Sequence, residues 1–226
     1  MVALSPNDPG ARQGRGSPYD RFAAAYELIA DAAEHRARDR GLDVLGARQG
    51  ETILEIGAGT GRAMQRIAGE VGPTGLAFGL DSSAGMLRLA RARLLPFPRT
   101  SLVRGDARAA PFPNRSLDAV FMSFTLELFD GPGMSSVLAE TRRMLRAGGR
   151  LALVCLDERS PPSAASRSYT WLRRRFPAFI DCRPIDALGV TRAAGFVTAR
   201  SETLSLWGLP ARSLLAFPDP SRRHSL

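Results

Sequence analysis

The segment ILEIGAGTGR, residues 53–62, places Gly57, Gly59 and Gly61 at alternate positions directly behind an apolar run. Residues without side chains let a chain turn sharply and let a ligand approach the backbone amides. The run ETILEIG (51–57) reads as a strand, and Arg62–Val71 has helical spacing. A helix that starts behind such a turn offers unpaired amides and the positive end of its dipole to an anionic group.

The same alternation continues outward. LAFGLD (76–81), SLVRGD (101–106), LDAVFMSF (117–124) and RLALVCL (150–156) read as strands, with helical spacing over Ala84–Leu94 and Met134–Leu145. Near-continuous apolar strands alternating with helices imply a parallel sheet covered on both faces, and such sheets bind ligands at the carboxyl ends of their strands. A helix from about Ile185 to Ala194 follows, then VTARSETLSL (197–206) and ARSLLAF (211–217), which the turn WGLP marks as an antiparallel pair. The expected fold is α/β: a doubly wound, mostly parallel seven-stranded sheet with helices on both faces and an antiparallel last strand.

A chain of 226 residues suits one sizeable core. The expected organisation is a flexible tail over 1–18, a single domain over 19–217 and a C-terminal tail over 218–226. The domain opens with a helix from Tyr19 to about Leu45 that Gly41 breaks. Residues 157–185 are proline-rich, aromatic and basic, and an insertion there would cap the carboxyl edge of the sheet.

The 31 basic residues are all arginine and face 22 acids, giving +9. Only Arg173–Arg175 form a tight run, so the charge reads as compositional bias more than as a nucleic-acid surface. Two cysteines, Cys155 and Cys182, and two histidines, His35 and His224, supply neither a disulfide framework nor a metal-ligand cluster, and no metal is expected. The first residues lack the order of a secretory signal, and no apolar run reaches the ~18 residues of a membrane span. The expected location is cytoplasmic.

A dinucleotide fingerprint would need glycine at Arg62, and a Walker-type loop would need G-K-[ST]; neither is present. Asp81 ends the second strand twenty residues after Gly61, where a carboxylate can accept hydrogen bonds from both hydroxyls of a ribose. Asp106 ends the third strand in the same way, suited to an exocyclic amino group.

At these residues the chain resembles the class I S-adenosylmethionine-dependent methyltransferases, over about residues 19–217. The likeness is carried by E-I-G-A-G-T-G (55–61), D-x-S-x-x-M-L from Asp81 to Leu87, G-D-A (105–107) followed by PFPNRSLDAVF (111–121), and RMLRAGGRLALV (143–154). The resemblance implies a Rossmann-like methyltransferase fold and S-adenosylmethionine as cofactor. It implies that Glu55 and the turn Gly57, Ala58, Gly59, Thr60 and Gly61 meet the methionine part, and Asp81 the ribose. Ser82 and Met86 would lie beside adenosine, and Asp106 and Ala107 at adenine. Ser123 would bring backbone near the sulfonium, and Tyr19 would cover the cofactor. Met86 equally suits a core position and Tyr19 a helix start; turn capping is the lesser alternative for Glu55 and Asp106.

The motif set is most similar to the small-molecule branch that includes ubiquinone/menaquinone-biosynthesis C-methyltransferases and phospholipid N-methyltransferases. The fourth strand ends in S-F-T-L (123–126) where a base-amino methyltransferase would carry [DN]-P-P-[YF], so no nucleic-acid substrate is expected. Methyl transfer from an activated sulfonium depends on positioning and exclusion of water, with a base only where the acceptor must lose a proton; the sequence singles out no catalytic residue. Glu127, Asp130, Asp181 and Arg183 are candidates to touch the acceptor, and the two carboxylates after the fourth strand equally suit a helix start. Tyr169, Trp171, Phe176 and Phe179 suit an apolar quinone-like, phenolic or lipid acceptor, and Arg173–Arg175 peripheral contact with anionic lipid; both sets equally suit a cap packed on the sheet with its arginines in water. A non-catalytic binder of the cofactor acting through a partner fits the same glycine turn, and the sequence gives no oligomeric state.

Overall fold

Seven strands form one sheet in the order β3-β2-β1-β4-β5-β7-β6. They are β1 (Thr52–Ile56), β2 (Leu76–Asp81), β3 (Thr100–Arg104), β4 (Leu117–Ser123), β5 (Leu145–Leu156), β6 (Phe196–Leu206) and β7 (Leu209–Pro218). The computed structural model describes residues 34–158, 183–206 and 208–222. Tyr19, the proposed tail over 1–18, and Tyr169, Trp171, Arg173–Arg175, Phe176, Phe179 and Asp181 of the expected cap lie outside the described residues.

Strands β1 to β5 pair in parallel. β7 runs antiparallel to both β5 and β6, so it is the one reversed strand, inserted between its two predecessors. The apolar runs explain the arrangement: in β4 five of seven residues are buried, and β5 is buried from Gly149 to Leu156. Only strands with helices on both faces bury that continuously.

Those helices are α1 (described over 34–45), α2 (Arg62–Val71), α3 (Ala84–Leu94), α4 (Gly131–Met144) and α5 (Ala187–Ala193). One face of the sheet receives Met134, Val137 and Leu138 of α4 and Ala187 of α5. The other receives Leu42 and Leu45 of α1, Met64 and Ile67 of α2, and Ala90 and Leu94 of α3.

Gly41 does not break α1, which continues to residue 45. A Cβ at Gly41 would stand 2.2 Å from Val154 Cγ2 and 3.1 Å from Phe121 Cε2, so the glycine lets the helix lie directly on β4 and β5. At the other end of β5, Arg150 clamps α1. Its guanidinium donates to Leu45 O at 2.6 Å and Gly46 O at 2.8 Å, and pairs with both oxygens of Glu51 at 2.8 Å. The last strand ends at Pro218, one residue beyond the expected Phe217, and a 3-10 turn spans Pro220–Arg222. Among the described residues no helix is long and apolar enough to cross a membrane.

Candidate active site

The glycine turn closes over the carboxyl end of β1. Gly57 N and Ala58 N both donate to Leu80 O of β2, at 2.8 and 3.1 Å. Two positions require glycine. Gly57 has φ 76°, and a Cβ there would meet the Thr125 side chain at 2.1 to 2.9 Å; Gly61 has φ 78° and lies 3.0 Å in the same sense from the Ala90 backbone. A side chain at either would be strained by φ and would push apart neighbouring elements.

Asp81 fixes the turn from β2. Oδ2 accepts from Gly59 N and Oδ1 from Ser83 N, each at 2.8 Å. The carboxylate therefore joins the glycine turn to the start of α3, where exposed Ser82 and half-buried Met86 stand. Arg93 of α3 adds a hydrogen bond to Thr60 O.

The start of α2 has no side-chain cap: its N-cap is Gly61 in the left-handed region. By contrast α3, α4 and α5 are each capped by a side chain, Ser83, Asp130 and Asp186 respectively. No N-cap side chain takes up the first-turn amides of the helix behind the glycines; of these, the Met64 N–H turns to Glu55.

Beside it lies Glu55, 4% exposed, with Oε2 lacking any hydrogen-bond partner among the described residues. Burial pushes its pKa up to about 8, against the opposing charge of Arg38 on α1 and a hydrogen bond from the Met64 backbone. A buried carboxyl with a spare oxygen next to uncapped helix amides complements a group that carries both an ammonium and a carboxylate. The residues present therefore fit an amino-acid moiety.

The remaining positions separate. Ala107 is buried at the end of β3, while Asp106 is exposed and its carboxylate is taken up by Arg108, with the guanidinium at 2.6 Å and the backbone N–H at 2.8 Å. The Arg108 hydrogen bonds hold the Asp106 pKa below its ordinary range. Asp130 is the helix-start acid, accepting from Gly133 N at 2.8 Å. Glu127 stands in the first turn of the 3-10 helix Leu126–Leu128, yet it is only 1% exposed. Arg183 donates to Phe129 O, tying the chain that re-enters before α5 to the loop after β4.

Behind half-buried Ser123 the chain turns through Phe124 at φ 50°, a conformation uncommon for an aromatic residue. That turn lays Thr125 against Gly57, so the ends of β1 and β4 meet. Sequence reasoning missed Thr125, Phe124, Arg38 and Arg93, because their roles arise from contacts between distant turns. Among the described residues no group of His, Cys, Asp and Glu could hold a metal ion.

Comparison with known proteins agrees with the fold. Residues 53–149 match the family model described as a methyltransferase domain. The chain is 33% identical over 158 residues to the ubiquinone/menaquinone biosynthesis C-methyltransferase UbiE of Hahella chejuensis, covering 67% of this chain and 62% of that protein. Against three curated relatives it spans 38%, 62% and 66% of their lengths.

In structure it is similar to a chain of the complex between the Haloferax volcanii Trm112 methyltransferase activator and its methyltransferase, with TM-score 0.68, 17% identity, and coverage of 91% of this chain and 100% of that one. It is also similar to the [4+2]-cyclase SpnF, with TM-score 0.62, 19% identity, and coverage of 92% and 86%. Over residues 53–149 the chain carries a methyltransferase domain, its strand order and glycine turn are those of the class I S-adenosylmethionine-dependent fold, and in sequence it resembles UbiE.

Proposed function

We propose that the chain is an enzyme that transfers a methyl group from S-adenosylmethionine to a small acceptor of the quinol or phenol type. The observation that carries the reading is the buried, unpartnered Oε2 of Glu55 beside the uncapped start of α2. In this reading Glu55 receives the ammonium of the cofactor, and the α2 amides and the turn Gly57–Gly61 its carboxylate. Asp81 takes the ribose hydroxyls with the lone pairs left free by Gly59 and Ser83. Ser82, Met86, Asp106 and Ala107 line the adenosine end, and Ser123 the sulfonium end. When bound, the cofactor supplies an electrophilic methyl on a cationic sulfur.

The protein's own contribution is placement. Asp81 and the glycine turn hold one reactant while the β4 and β5 edge receives the other, and burial excludes water from the methyl. The acceptor class is taken from UbiE, whose name states C-methylation in quinone biosynthesis. Arg183, tied to the β4 loop, and the aromatic residues Tyr169, Trp171 and Phe176 are proposed to bound the acceptor. Contact of Arg173–Arg175 with anionic lipid and a cytoplasmic setting belong to the same proposal.

Because a chain named as a cyclase has this fold, turnover must be read beside binding. Isothermal titration with S-adenosylmethionine, S-adenosylhomocysteine and NAD should show binding of the first two alone. Incubation with S-adenosylmethionine and reduced 1,4-naphthoquinone, read by mass spectrometry, should show one added methyl. Binding without transfer to this or any phenolic acceptor would favour the non-catalytic reading.

A further inference from the structure

Glu127 has a buried carboxyl for which the cofactor assignment has no use. It sits on the 3-10 turn Leu126–Leu128 behind β4. Oε1 accepts from the backbone N–H of Leu156, the last residue of β5, at 3.2 Å. Oε2 is buried and has no hydrogen-bond partner among the described residues.

Its place in the sheet gives it a task. The residues assigned to ribose and adenine stand at the ends of β2 and β3, on one side of β1. The acceptor must approach from the other side, over β4 and β5. Glu127 lies at those two strand ends, two residues from Thr125, which packs on the glycine turn. A nearly fully buried polar group with an unfilled lone pair there calls for a hydrogen-bonding ligand group.

We propose that Glu127 accepts, through Oε2, the hydroxyl proton of a quinol- or phenol-type acceptor as that acceptor attacks the methyl group; this rests on the function proposed above. The O–H bond breaks and its proton passes to Glu127. The electron pair released into the acceptor forms the new bond to the methyl carbon, and the C–S pair stays on sulfur. Attack through oxygen gives the ether directly. Attack through ring carbon gives a dienone, which tautomerises to the methylated phenol. In both cases one proton remains on Glu127 and leaves to solvent with the product.

The surroundings suit a base that works near neutrality. Burial raises the Glu127 pKa to about 8; its own backbone N–H and that of Leu156 oppose the rise, and Glu34 of α1 adds to it. The other charged groups nearby along the packed elements are the Asp157–Arg212 pair just beyond Leu156, at 2.6 Å, and Arg183 on Phe129 O. A positioned base of such pKa contributes about 10²–10⁴-fold.

The test uses Glu127→Gln and Glu127→Asp with reduced 1,4-naphthoquinone as acceptor. Glu127→Gln should bind S-adenosylhomocysteine as the parent does, yet transfer methyl at least about 100-fold more slowly, with Glu127→Asp between the two. At saturating S-adenosylmethionine the parent's kcat/KM for the acceptor should rise with pH through about 8, and Glu127→Gln should lose that rise. In protein without ligand, a carboxylic-acid infrared band should fade over the same pH range and be diminished in Glu127→Gln. Undiminished, pH-dependent transfer by Glu127→Gln would overturn the assignment of the proton to Glu127 and leave the methyltransferase reading intact. No transfer by parent protein that binds S-adenosylmethionine would overturn the acceptor class and this proposal with it. Failure of the parent to bind S-adenosylmethionine would overturn the underlying function as well.

Discussion

Asp81 and Gly59 are joined across two strand ends: the carboxylate of one accepts the amide of the other at 2.8 Å. The bond sets the shape of the glycine turn before any ligand arrives. Replacing Asp81 with alanine frees the Gly59 and Ser83 amides and removes the proposed ribose acceptor. S-adenosylhomocysteine should then bind at least about tenfold more weakly, a loss of about 1.4 kcal/mol or more. The melting temperature should fall by only a few degrees, since Asp81 is not in the apolar core. Unaltered affinity in a folded Asp81→Ala protein would remove Asp81 from the cofactor site.

In the proposed cofactor site, Glu55 should make binding depend on pH. Below about pH 8 its buried carboxyl is mostly protonated, while an ammonium partner favours the ionised form. Binding should release a proton in that range, and affinity should rise with pH up to about tenfold per unit. It should turn over near pH 8, where a ligand α-amino group, of pKa about 7.7–8.0, loses its own charge. Titration calorimetry in two buffers of different ionisation enthalpy measures the released proton, and Glu55→Gln should abolish it.

The same burial reaches stability. Glu55 and Glu127 each have a native pKa of about 8 against an ordinary 4.5. At these two groups the folded chain keeps protons that the unfolded chain gives up, so their contribution to stability is greatest below the ordinary carboxylate pKa and falls as pH rises toward 8. The limiting slope is about 1.4 kcal/mol per pH unit per group. Urea denaturation of the ligand-free protein at pH 5.5, 6.5 and 7.5 should show the decline. Glu127→Gln should flatten it by the share of one group.

Arg150 is the structural counterpart. Its pair with Glu51 is almost enclosed, with side-chain exposures of 11% and 15%. Burial would raise the Glu51 pKa, but the hydrogen bonds from Arg150 and Arg48 and their charges lower it overall. Removing one partner strands the other, and removing Arg150 also strands the carbonyls of Leu45 and Gly46; either should destabilise by about 3–5 kcal/mol. The double replacement Arg150→Leu with Glu51→Leu should recover part of that loss, measured as a denaturation midpoint.

The strands and helices that frame the site were legible because their patterns are local. The spacing expects Arg62–Val71, Ala84–Leu94 and LAFGLD, and the structure has α2, α3 and β2 at those limits. Gly41 misled because helix propensity is decided there by the approach to Val154. The parallel sheet with a terminal antiparallel pair was readable; that β7 would lie between β5 and β6 was not, since no residue in either strand names its neighbour. Within the site, Asp81 stands at the predicted strand end. Glu127 and Asp130, alike in sequence as acids after β4, diverge because the turn at Phe124 buries the first and leaves the second to cap α4.

The inserted β7 also dictates an order of assembly. β6 is translated first but bonds to β7 alone, and β5 presents a bare edge from Leu151 to Leu156 until β7 pairs with it. On the ribosome, the strand end whose Leu156 amide holds Glu127 therefore waits for residues 209–218, a long-range closure that comes late in folding. Until then the nascent chain exposes an apolar template open to other strands. Loss of residues 209–218 would thus damage the acceptor side of the sheet while sparing the glycine turn, dividing the protein into a half that can form early and a half that completes it.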